Sequence, residues 1–85
     1  MISEIKRVFN CVDARVYSAK ELARIGLNAC EGNKTAYYTW DYKFVLVSCY
    51  YADGVYKAVV YNSPGGPRSI EATSLDNLKV KIDLL

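Results

Sequence analysis

The sequence predicts an α+β domain: a three- to four-stranded antiparallel sheet, two N-terminal helices and one C-terminal helix, packed mainly on one face. Three observations carry this reading. Apolar residues recur at helical spacing near both ends of the chain. Between them, from Ala36 to Tyr61, runs rich in Val and Tyr take over, the composition of strands. Asp53-Gly54 splits two of those runs, and Asp-Gly between β-rich segments is a strong hairpin signal. The 85 residues make one domain, 1–85, of a size at which a core is marginal alone.

The first helix is read from Ile2, Ile5, Phe9 and Val12, with Val8 beside them and Ser3 as its candidate cap. "DARVY" (13–17) then breaks the pattern. "SAKE" (18–21) matches a capping box, in which Ser18 accepts from an early backbone amide and Glu21 reaches back to the cap. Leu22, Ile25 and Ala29 follow as an apolar stripe, and Gly32 supplies a left-handed stop, so a helix is expected over 19–31. Its small residues Ala19, Ala23, Gly26 and Cys30 suggest close docking on the sheet.

"AYYTW" (36–40), "KFVLVSCYY" (43–51) and "VYKAVVYN" (55–62) are the expected strands, with "RSIEA" (68–72) as a short edge strand. "SPGGPR" (63–68) is a loop, because its prolines lack donors and its glycines are permissive. Ser74 caps a closing helix with Leu75, Leu78, Ile82 and Leu85 along one side. The strand 43–51 is apolar on both faces, as is its hairpin partner. A sheet open to water on one side normally alternates polar and apolar residues, so either helices cover both faces, or the open face self-associates or holds a ligand; self-association into a homo-oligomer is expected.

Composition narrows the chemistry. The chain has no histidine, which removes the commonest general base near neutral pH and the commonest metal ligand. Cys11, Cys30 and Cys49 are odd in number and form no C-x-x-C pair, so all three are expected reduced, non-catalytic and without a metal. Asp and Glu are dispersed along the chain, with no evident dyad. "NSPGGPRS" (62–69) lacks the lysine and spacing of a phosphate-binding loop. The expectation is a non-enzymatic protein with no small-molecule cofactor. "MISEIKRVF" has charges where a signal peptide needs an apolar run, and no segment is long enough to span a bilayer. A cytoplasmic location with no membrane partner follows as the expectation.

The formal charge is +2, and the excess lies wholly before Phe44. The aromatic run "YYTWDYKF" (37–44) sits at the end of this basic half. Eight tyrosines against two phenylalanines favour a half-wet surface over a dry core. The expected division places Phe44 in the core. Some of Tyr37, Tyr38, Trp40 and Tyr42 are then exposed as aromatic binding residues, near a strand end or turn marked by Asp41 and Lys43. Lys34, Lys43, Lys57 and Arg68 flank the strands as basic binding residues. Bases stack on such rings while Lys and Arg neutralise phosphate.

The functional expectation is therefore a stoichiometric regulator or inhibitor engaging RNA or an RNA-processing protein. Its size and lack of motifs match the small regulators made by phages and mobile elements. The alternative is a purely protein-binding inhibitor or dimeric adaptor, since Tyr and Trp equally anchor protein interfaces. The element order also fits a double-stranded-RNA-binding domain, but the last helix begins "SLDNL", acidic where that family is lysine-rich, so no family is assigned.

Overall fold

The computed structural model describes residues 1–27 and 36–85. In chain order the elements are α1 (Ile2–Phe9), β1 (Arg15–Tyr17), α2 (Ala19–Arg24), β2 (Tyr37–Tyr42), β3 (Val45–Ala52), β4 (Val55–Val60), β5 (Arg68–Ala72) and α3 (Leu75–Asp83). The strands form one antiparallel sheet in the order β1-β2-β3-β4-β5. The α+β class is as expected, and the sheet has five strands rather than three or four. The added strand is "RVY", three residues paired with Tyr37–Thr39. A strand this short carries too little pattern to be seen by periodicity.

The helix ends follow local chemistry. α1 stops at Asn10, which takes a left-handed conformation (φ 51°) and donates its amide to the Lys6 carbonyl. Val12 therefore lies beyond the helix and is exposed, and Ser3 is not its cap. The Ser18–Glu21 capping box is formed: Glu21 N donates to Ser18 Oγ at 3.1 Å and Ser18 N to Glu21 Oε1 at 3.0 Å. α2 ends six residues on, short of the expected 31, because Gly26 turns the chain with φ 88°. Of the small stripe, Ala19 packs against the second core, whereas Ala23 and Gly26 are exposed. Cys30 and Gly32 lie outside the described residues. Ser74 caps α3 by accepting from Asn77 N at 3.1 Å.

Two cores sit on opposite faces. Side chains alternate along a strand, so Trp40, Tyr42, Val47, Cys49, Ala58 and Val60 share one face. They pack there beneath Ile5 and Phe9 of α1 and Leu75, Leu78 and Ile82 of α3. Tyr37 and Tyr50 lie on the other face, and Leu22 of α2 closes over them. On the face of Tyr37 and Tyr50, Thr39 and Ser48 stand opposite one another and share a buried hydroxyl–hydroxyl hydrogen bond of 2.9 Å. Helices on both sides explain why β3 is apolar on both faces.

Candidate functional site: an exposed phenylalanine on a left-handed turn

The hairpin between β2 and β3 is closed by two residues, Lys43 and Phe44, between the paired positions Tyr42 and Val45. Both hold positive φ, 48° and 70°. That is the geometry of two-residue turns that match strand twist, and it normally selects Asn-Gly or Asp-Gly. The β3–β4 turn obeys the rule with Asp53-Gly54, at φ 53° and 81°. At the β2–β3 turn a phenylalanine stands where glycine is usual, and its side chain is 100% exposed. For a bulky residue that backbone region is an outlier costing roughly 1–2 kcal/mol.

The turn is held from three sides. Asn62 accepts from Leu46 N through Oδ1 at 2.7 Å and donates through Nδ2 to the Phe44 carbonyl at 2.9 Å. Lys43 Nζ lies 3.3 Å from Asp83 Oδ1 and 5.2 Å from the centre of the Tyr42 ring. The Tyr42 hydroxyl donates to the same carboxylate oxygen at 2.7 Å. Asp83 is accordingly held below the usual carboxylate range, first by the Tyr42 hydroxyl and then by Lys43. Tyr42 is pushed up by burial and by Asp83, and Lys43 is raised by Tyr42 and Asp83. Beside the turn lies a groove of about 440 Å³, with Phe44, Val45, Pro64, Ile82 and Leu85 as its apolar lining and Lys43 and Asp83 among its polar residues.

This arrangement corrects the expected division of the aromatic run. Trp40 is 1% exposed and its ring lies 4.8 Å from Phe9; Tyr42 meets Phe9 edge-on at 5.1 Å. Tyr37 is buried and meets Tyr50 edge-on at 5.4 Å. Tyr38 is half-buried against the α1–α3 core. Phe44, expected inside, is the exposed ring. The reason is alternation between two covered faces: a ring on either side of β2 finds a helix above it, whereas the two turn residues leave the strand.

The basic residues do not form one stripe. Lys43 is at the turn. Lys57 is opposite Glu71 in the β4–β5 register, on the face away from α1 and α3. Arg68 is exposed on β5, with its guanidinium beside the Gly65 loop. Lys34 lies outside the described residues. Within the glycine loop, Gly66 N donates to the Ser63 carbonyl at 2.9 Å, and the Ser63 hydroxyl donates to the Gly66 carbonyl.

Two further groups bear on chemistry. Burial pushes the Cys49 thiol up to about 12, so it is a packing residue with no thiolate at neutral pH. Asp13 and Asp41, remote in sequence, are brought together beside Arg15 in a depression of about 200 Å³. Asp41 is raised, first by a hydrogen bond with Asp13, then by burial and the Asp13 charge, against which Arg15 acts. This carboxylate pair was not visible as a dyad in the sequence. Among the described residues, no group of three or more Cys, Asp or Glu side chains is placed to hold a metal ion. No helix among them is long and apolar enough to cross a membrane. Comparison with family models, curated proteins and solved structures gives no match.

Proposed function

We propose that the chain is a small non-enzymatic module that regulates or inhibits by binding another protein, and that Phe44 is its anchor. The observation that carries the reading is one fully exposed aromatic ring on a turn whose backbone disfavours it. Strain of this kind persists only where surrounding structure over-determines it, and it gathers at ligand clamps and switch regions. Here Asn62 and the Tyr42–Lys43–Asp83 cluster supply that support. Burying a phenylalanine side chain contributes about 1.5–3 kcal/mol, the scale of an interface anchor. A turn already fixed by its neighbours loses little entropy on docking.

The protein-binding alternative is favoured over RNA because Tyr37, Trp40 and Tyr42 are occupied within the two cores. The basic residues also point to different regions of the surface. The test is a capture experiment from the native host with wild-type protein and with Lys43→Asn/Phe44→Gly, which restores ordinary turn chemistry. Loss of the captured protein with the fold intact supports the reading. Nucleic acid that copurifies, survives the turn replacement and is released by salt would contradict it in favour of RNA.

A further inference from the structure

We infer that a second copy of this chain occupies the Phe44 site, docked about a two-fold axis so that each Phe44 enters the groove of the other subunit. The inference rests on the reading of Phe44 as an anchor and names the second copy as its occupant in the free protein, exchanged for the target protein on binding.

A two-fold interface requires a surface complementary to itself, in which residue i meets j and j meets i. The turn end of this molecule has that property in shape. A fully exposed ring, Phe44, forms one wall of a groove of about 440 Å³ whose other apolar lining is Val45, Pro64, Ile82 and Leu85. It has the property in charge as well. The rim carries one exposed cation and one partly exposed anion, Lys43 and Asp83, with side chains 68% and 36% accessible. A two-fold axis between the Phe44 rings brings each Lys43 toward Asp83 of the partner subunit, so opposite signs meet twice.

Among the described residues, the sheet edges and the face under α1 and α3 are poor alternatives for self-association. Edge strand β1 has only three residues. Edge strand β5 carries Arg68 and Glu71, and Lys81 Nζ covers the Glu71 carbonyl at 2.7 Å. A charged, covered edge is a poor template for another strand. One face of the sheet lies under α1 and α3, and α2 takes part of the other.

The test uses sedimentation equilibrium on the full chain at micromolar to millimolar concentration, with Lys43→Asp, Asp83→Lys and Phe44→Asp, each checked for folding by thermal unfolding. The wild type is expected to be a dimer and Phe44→Asp a monomer. Lys43→Asp and Asp83→Lys, each alone, place like charges at both contacts and should weaken the dimer at least tenfold. An equimolar mixture of the two should recover a heterodimer within a few-fold of wild-type affinity. Each of its contacts then pairs Asp with Lys, although the pair inside each subunit stays broken. That recovery therefore reads the contact between subunits. A monomeric wild type, a dimer indifferent to Phe44→Asp, or a mixture that does not recover overturns the inference. A monomeric wild type whose Lys43→Asn/Phe44→Gly variant still loses its host protein would overturn the dimer alone and leave the anchor reading standing.

Discussion

The Tyr42 hydroxyl donates to Asp83 Oδ1 at 2.7 Å, joining the last residue of β2 to the last of α3 across 41 positions of sequence. This bond fixes the helix end against the hairpin end, and so sets the wall of the groove beside Phe44. A hydrogen bond to a charged acceptor contributes about 1.5–3 kcal/mol, toward the low end where the carboxylate is partly solvated. Tyr42→Phe is expected to lose about 1–2 kcal/mol in a urea titration while keeping its ring on Phe9. A loss below a few tenths would mean that the two ends are not coupled.

Trp40 is expected to be a stability residue with no direct part in binding. Trp40→Ala should cost about 3–5 kcal/mol, as for other buried aromatics. Its indole Nε1 is buried with no hydrogen-bond partner among the described residues. Trp40→Phe removes that donor and keeps a ring against Phe9, so it should cost under about 1.5 kcal/mol. Chemical denaturation of both variants checks this. A Trp40→Phe cost as large as that of Trp40→Ala would mean that the indole nitrogen does have a partner.

Two carboxylates should give opposite pH signatures. Asp41 is raised from its ordinary 3.8 in the fold. Its contribution is therefore present at low pH and lost as pH rises through the raised value. Asp83 is lowered, so its contribution is present above 3.8 and lost as pH falls through the lower folded value. Asp41→Asn should raise stability at pH 7 relative to its effect at pH 3, and Asp83→Asn should lower it. Unfolding midpoints at several pH values measure both. A loss of stability at pH 7 in Asp41→Asn, relative to its effect at pH 3, would contradict the raised Asp41.

Much of the fold is legible in the sequence because local chemistry and tertiary structure agree. Ser18 and Ser74 cap the helices they were expected to cap, and Asp53-Gly54 makes its hairpin. The strands lie near their expected places. The candidate site is not legible, and the reason is specific. Lys-Phe carries no turn signal, so "YYTWDYKF" reads as strand through Phe44, and the tyrosine-rich composition points to a wet face. Only the register, with Tyr42 opposite Val45, takes Phe44 out of the sheet. Asp41 and Lys43 did mark a turn. What they could not convey is that α1 and α3 cover one face and α2 part of the other, so the rings before the turn go inside. The Asp13–Asp41 pair was hidden in the same way, since it depends on β1 lying beside β2.

The most direct measurement is the stability of Lys43→Asn/Phe44→Gly against wild type, both at a concentration where sedimentation shows monomer, so that a lost subunit contact does not enter. If Phe44 is held out for binding and contributes nothing to the core, ordinary turn residues should relieve the backbone. The variant should then gain about 1–2 kcal/mol, with a midpoint rise of about 4–8 °C per kcal/mol. A variant less stable by 1 kcal/mol or more would show that the Phe44 ring supports the fold, and the anchor would have to be sought elsewhere.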